Sequence, residues 1–284
     1  MRNICLILAY DGTGYHGFQR QQEAHGPTVQ GTLEKIWQVL TKEEISISTA
    51  GRTDAGVHAA GQVVNFRSAV SIPAENIAKA FNSLLPREIR VLKAQDVTDD
   101  FHARLSAQWK RYDYLIDNKR IPDVFKRLYT LHEPLKLDTE SMKSAALLLE
   151  GRHNFRFFAA SGGSSKTFER NLYCCRVQKE EDLLRLICIG DGFLYKMVRI
   201  IAGTLLQVGK GRLDVTEIPQ LLVLQERKQV PVVAPAQGLT LTYVHYGAES
   251  PWEVYPELSY GLFWSNPENY KNCRNLSQYK ALKC

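Results

Sequence analysis

The chain begins with a short apolar run, Ile4 to Tyr10, followed by the polar, glycine-rich stretch DGTGYHGFQRQQ. An apolar run of that length bounded by turn residues reads as a buried strand. Apolar positions then recur as Val29, Leu33, Ile36, Trp37 and Leu40, the spacing of one helical face. Ile45 and Ile47 alternate with serines and predict a strand, and QVVNF at 62–66 predicts another. Ile77, Phe81, Leu84 and Leu85 mark a second helix, which Pro86 ends. IRVLKAQDV at 89–97 returns to strand character. The mixture then repeats. WKRYDYLID at 109–117 alternates through Trp109, Tyr112, Tyr114 and Ile116, and a helix is predicted over Ser141–Leu149. Strands follow at YCCRV and LLRLICI. Phe193, Met197, Ile200, Ile201, Leu205 and Val208 repeat at helical spacing, and LTLTYVHY reads as the last strand. Strands and helices mixed twice over predict an α+β protein. Its two similar halves would each be a mostly antiparallel sheet with helices on one face. The halves are placed at 1–105 and 106–248, with an extension over 249–284.

That extension changes the picture at the C-terminus. It holds Trp252, Tyr255, Tyr260, Phe263, Trp264, Tyr270 and Tyr279 but few aliphatic residues. So many aromatic rings do not suit a solvated tail. The segment is expected to dock on the body of the second half or across a subunit interface.

Composition narrows the class. A chain of 284 residues with 44% hydrophobic and 23% charged residues is ordinary for a globular protein and long enough for two domains. No apolar stretch approaches about 20 residues, so no membrane span is expected. No N-terminal segment has the layout of a secretion signal. The cysteines, Cys5, Cys174, Cys175, Cys188, Cys273 and Cys284, form no C-x-x-C pair. They read as reduced thiols of a cytoplasmic protein rather than a zinc or redox motif. The net charge is +6. Arg104, Lys110, Arg111, Lys119, Arg120, Lys126 and Arg127 crowd one stretch against Asp113, Asp117 and Asp123. Phe193 to Leu213 carries Lys196, Arg199, Lys210 and Arg212 with no acid. A polyanionic partner would explain both, and so would solvated outer faces.

The chemistry concentrates in STAGRTDAGVHAAGQVVNF, residues 48–66. Arg52, Asp54 and His58 stand among small residues, which let a backbone turn tightly and a large ligand approach. Asp54 alone allows three readings. It is a turn residue bonding its own backbone, one ligand of a metal held with His58, or a carboxylate acting on a substrate. Asp54 and His58 are too few ligands for a catalytic metal.

GRTDAGVHA resembles the catalytic motif of the pseudouridine synthases of the TruA family. Other blocks resemble the family in the same order: YDGTGYHGFQRQ at 10–21, TVQGTLE at 28–34, NSLLPREIRV at 82–91, FHARLSA at 101–107, KRYDY at 110–114, GRHNF at 151–155, GDGFLYKMVRIIAGTLLQVGKG at 190–211 and APAQGLTLTYVHY at 234–246. The likeness runs from about residue 2 to 247. It implies a pseudouridine synthase fold with a central cleft, and isomerisation of uridine to pseudouridine in tRNA. The implied target is nucleotides 38, 39 and 40 of the anticodon stem-loop. It implies a homodimer with one tRNA spanning both subunits, and no metal or cofactor. The nucleophile falls on Asp54, the stacking tyrosine on Tyr112 and a paired arginine on Arg199. Arg52 falls on the residue that enters the RNA helix as the base flips out. Lys110 and Arg111, beside Tyr112, would meet phosphates, although alternation allows only one of them to share the face of Tyr112. Arg199 suits its place because a guanidinium stays charged inside a protein and keeps a nearby carboxylate ionised. Three positions depart from the pattern: Asp113 where a basic residue is common, Asn154 for aspartate and Leu105 for phenylalanine. Two rivals stand beside this reading. One is an RNA-binding protein that keeps the fold without the reaction, and the other a metal-dependent hydrolase.

Overall fold

The computed structural model describes residues 1–21, 26–223 and 231–258. Its centre is one sheet of ten strands. The strands are β1 (Arg2–Tyr10), β2 (Ser48–Thr49), β3 (His58–Ser68), β4 (Ile89–Val97), β5 (Trp109–Asp117), β6 (Leu131–His132), β7 (Gly151–Asn154), β8 (Glu169–Glu180), β9 (Leu183–Gly190) and β10 (Leu239–His245). They lie in the order β4-β1-β3-β10-β5-β9-β8-β7, with β2 on β3 and β6 on β5. The α+β class read from the sequence holds, but the two halves share one sheet. β10 makes the join: it is antiparallel to β5 and parallel to β3 through Thr240↔His58 and Leu241↔Ala59 alone.

The helices are α1 (Val29–Thr41), α2 (Ala74–Leu84), α3 (Thr139–Leu147), α4 (Met197–Gly209), α5 (Ile218–Val223) and α6 (Pro251–Val254). Thr28 caps α1 by accepting the Gly31 N–H at 3.2 Å. Buried Trp37 of α1 then packs on Phe81 of α2 and Phe66 of β3 at ring separations of 5.2 and 5.0 Å. In the second half α3 lies on β8, and α4 lies against β5 and α3. Between β4 and β5 the chain must cross β1, β3 and β10. Residues 98–107 do so on the sheet face opposite α1 and α2. There the Asn65 carboxamide accepts the Ala103 N–H at 2.9 Å and donates to Asn3 at 2.9 Å.

The strand predicted around Ile45 and Ile47 shrinks to Ser48–Thr49. The Ile47 N–H points to the Glu34 carboxylate of α1 at 3.4 Å, so a side chain stands where a ladder partner would be. The extension divides. Through Leu258 it packs on the outer face of the second half, where Trp252, Tyr255 and Leu258 cover Trp109, Cys174, Ile187 and Ile189. The Trp109 indole donates to the Glu249 carbonyl at 3.1 Å. Tyr260, Phe263, Trp264, Tyr270 and Tyr279 lie outside the described residues. Removing residues 251–284 uncovers an apolar patch, and each large side chain returned to water costs about 1.5–3 kcal/mol. The truncated protein is expected to melt several degrees lower in calorimetry, while the salt dependence of any binding to the tRNA that the resemblance implies stays nearly unchanged. An unchanged melting temperature with a shallower salt slope would make the extension an RNA arm.

Candidate active site

Asp54 sits in the loop between β2 and β3, and the glycine-rich stretch after β1 forms the floor beneath it. The Phe18 N–H donates to the Thr53 carbonyl at 3.1 Å, and the Gly56 N–H to the Tyr15 carbonyl at 3.3 Å. A Cβ on Gly12 would collide with the Val57 carbonyl, so only glycine permits this approach. From the other side, the Gln62 carboxamide donates to the Gly51 carbonyl at 2.8 Å, and the Tyr10 and Thr53 hydroxyls pair at 2.7 Å. Burial pushes the Tyr10 phenol up to about 12. The loop is therefore held by main-chain and buried polar contacts while its side of Arg52 stays exposed.

His58 ends this loop. Its Nδ1 accepts the Gly12 N–H at 3.1 Å. Its Nε2 faces the Leu128 carbonyl at 3.0 Å and the Gln237 carbonyl at 3.2 Å, so Nε2 carries the proton. Asp11, 3.2 Å from Nδ1, accepts the Tyr129 hydroxyl at 2.7 Å. Both ring nitrogens are thus engaged by protein atoms, and His58 ties together four segments that meet beside Asp54. The sequence offered His58 as a metal ligand; its partners make it a clasp instead. No residue-type pattern announces Asp11 or Tyr129 as its companions.

Arg199 reaches the same place from the first turn of α4. Its Nη1 donates to Asp54 Oδ2 at 2.8 Å and its Nε to the Ala234 carbonyl at 2.8 Å. The side chains keep 14% and 20% of their surface exposed, so the pair is largely withdrawn from water but open on one side. The Ala234 N–H returns a bond to the Arg199 carbonyl at 3.0 Å. This strip lies close to α4 because a Cβ on Gly203 would strike the Val232 carbonyl. Tyr112 of β5 completes the group. Its ring meets Phe193 edge-on at 5.0 Å, and its hydroxyl lies 3.6 Å from where a Cβ on Gly51 would be. Burial, then the nearby Tyr10 and Asp54, push the phenol well above its ordinary value. Its hydroxyl is therefore protonated at neutral pH.

The two basic neighbours of Tyr112 part company. Lys110 shares its strand parity and sits with Arg104, Arg170 and Asp191; burial first, and then Arg104, push its ammonium down to about 8. Arg111 corrects the expectation of a phosphate contact. It is buried on the opposite face, where it binds Asp113 at 2.7 and 3.0 Å and lies 4.6 Å from the Tyr255 ring centroid. Arg185 reaches the same carboxylate at 3.0 Å. Burial would raise the Asp113 carboxyl, but Arg111 and Arg185 outweigh it and hold it below the ordinary value. Asp113, one of the departures from the motif pattern, is thus a structural counter-ion. Asn154 accepts the Arg156 N–H at 3.0 Å, a turn contact, and Leu105 is exposed.

The family model described as tRNA pseudouridine synthase matches residues 6–106 and 145–247, segments that include Asp54 and Arg199, while β5 with Lys110 and Tyr112 lies between them. The chain belongs to the tRNA pseudouridine synthase family. It is similar to the tRNA pseudouridine synthase A of Acetivibrio thermocellus, 46% identical over 246 residues, 87% of this chain and 100% of that one. It is likewise similar to those of Moorella thermoacetica, 47% over 241 residues (85% and 98%), and Syntrophomonas wolfei, 48% over 252 residues (88% and 100%). The tRNA pseudouridine synthases are isomerases, and this chain carries their activity on uridine in tRNA. Among the described residues no three histidine, cysteine or acidic side chains converge as a metal site, and no helix is long and apolar enough to cross a membrane.

Proposed function

We propose that Asp54 is the nucleophilic or proton-abstracting carboxylate of uridine isomerisation, working on a base flipped from the anticodon stem-loop at nucleotides 38 to 40. The reaction breaks the N1–C1′ bond, turns the uracil and rejoins it through C5, so a stacked base must first leave the helix. The observation that carries this reading is the Arg199–Asp54 pair at 2.8 Å, partly open to solvent. An arginine so placed orients the carboxylate and sets a counter-charge beside it, poised to attack C1′ or C6, or to take a sugar proton. Tyr112 lies against the flipped uracil. Its hydroxyl relays the C5 proton, taking it up as its own proton passes to water at the open side of the site. Arg52, exposed at the loop, fills the space the base vacates, and Lys110 meets a phosphate. The reaction needs no metal or cofactor. The enzyme works in the cytoplasm as a homodimer whose two subunits share one tRNA.

Tritium release from unmodified tRNA labelled at uridine C5, followed by mapping of the product positions, tests the reading. Release with pseudouridine at 38–40 supports it. Product at other positions overturns the anticodon assignment, and no release overturns the role of Asp54. A second expectation concerns Lys110. Its charge is present below about pH 8 and lost above it. Between pH 7 and 9 tRNA affinity should therefore fall, and the log–log salt slope should become shallower by up to about one ion. In Lys110→Met that pH step should be missing. An identical step in the variant would remove Lys110 from the phosphate contact.

A further inference from the structure

One surface next to the His58 clasp carries side chains, from Lys119 to Arg127, that the site described above does not use. Residues 118–130, between β5 and β6, form a tip whose apolar side chains face water. Phe125 is 88% exposed, Ile121 79% and Val124 59%. Lys119, Arg120, Lys126 and Arg127 are exposed among them. Isolated exposed apolar residues are normal, but three within five positions, one of them an aromatic ring almost wholly in water, mark a contact surface.

The tip is built, not slack. Asp117, buried at the end of β5, accepts the Lys119 and Asp123 N–H groups at 3.2 and 2.8 Å. Asp123 accepts the Phe125 N–H at 3.0 Å, and the Arg127 guanidinium donates to the Val124 carbonyl at 2.6 Å. Its far end is fixed to the catalytic side of the molecule. The Leu128 carbonyl takes the His58 proton at 3.0 Å, and the Tyr129 hydroxyl binds Asp11 at 2.7 Å. Phe125 and its cations are thus held in a set relation to the loop that carries Asp54.

We infer that this tip is a second RNA contact, in which Phe125 stacks on a base of the bound tRNA away from the target uridine while Lys126 and Arg127 meet the flanking phosphates. The inference rests on the tRNA reading of the site. Two features favour RNA over a second copy of this chain. Four cations in nine positions against one acid, Asp123, 3.7 Å from Lys126, leave the tip net positive and complementary to a phosphate backbone. With its backbone tied to Asp123, the exposed Phe125 ring presents a π-face that any unpaired base can cover without sequence-specific hydrogen bonds. Ordering is already present in the free protein, so little conformational entropy remains to be lost on binding.

The test uses the full-length enzyme and an unmodified tRNA transcript. Phe125→Ala is expected to raise the tRNA Kd and KM about tenfold, the loss of one stacked base, with a much smaller change in kcat and the same salt slope. Phe125→Trp should retain affinity. The double variant Lys126→Ala with Arg127→Ala should instead make the salt slope shallower by about 1–2. Wild-type affinity in Phe125→Ala overturns the inference. So does a change of oligomeric state in Phe125→Ala by light scattering, which would assign the tip to a subunit interface. A wild-type enzyme that modifies tRNA while Phe125→Ala matches it removes only this contact; a wild-type enzyme without activity removes the reading beneath it.

Discussion

Asp54→Asn is expected to reduce pseudouridine formation by at least about a thousandfold, the scale seen when a nucleophilic or acid–base side chain is lost. The amide is nearly isosteric and still offers an oxygen to Arg199, whose Nε keeps its bond to the Ala234 carbonyl. Folding should therefore survive, and tRNA affinity should stay within about tenfold, because phosphate contacts supply most of it. The measurements are single-turnover tritium release and a filter-binding isotherm on one preparation, with mass spectrometry to exclude deamidation back to aspartate. Turnover within about tenfold of wild type by an intact asparagine variant would take Asp54 out of the chemistry.

Arg199→Leu comes next in size. The substitution deletes a charge-assisted bond to Asp54 and a bond to a main-chain carbonyl at once. A hydrogen bond to a charged group is worth about 1.5–3 kcal/mol, or roughly ten- to a hundredfold in rate if it is needed in the transition state. The orphaned Ala234 carbonyl should lower stability as well. Arg199→Lys separates the two effects. An ammonium is a single point donor and reaches one of the two partners, so activity should recover in part while the melting temperature stays low. Equal kcat in wild type and the leucine variant, with only stability changed, would make Arg199 a strut for the 231–235 strip alone.

Periodicity was enough for the local elements. β4 and β5 occupy the stretches 89–97 and 109–117 that the alternation predicted, and α1 follows the Val29–Leu40 stripe. Strand parity alone also separates Lys110 from Arg111. What the pattern could not carry is what lies far apart in sequence. The Arg199–Asp54 bond joins residues 145 positions apart, and only the resemblance of two motif blocks brought them together on paper. The His58 clasp was invisible for another reason. Its partners are the Gly12 N–H and the carbonyls of Leu128 and Gln237, main-chain atoms that every residue possesses. The single sheet was hidden likewise, since a parallel pairing over two residues leaves no mark on either strand.

That short pairing governs when the enzyme comes into being. Among the described residues β10 is the last strand made, yet it stands in the middle of the sheet, between β3 and β5. During synthesis the first half can assemble β1, β3 and β4 with α1 and α2 from neighbouring segments, which fold quickly because their loops are short. The edge of β3 beside His58 then waits, unpaired, until Leu239–His245 leaves the ribosome and slots in. The Asp54 loop opens directly onto that edge, and the Ala234 strip that braces Arg199 lies just ahead of β10. The loop of Asp54 and the strip bracing Arg199 are therefore expected to reach their places only once this late strand has docked.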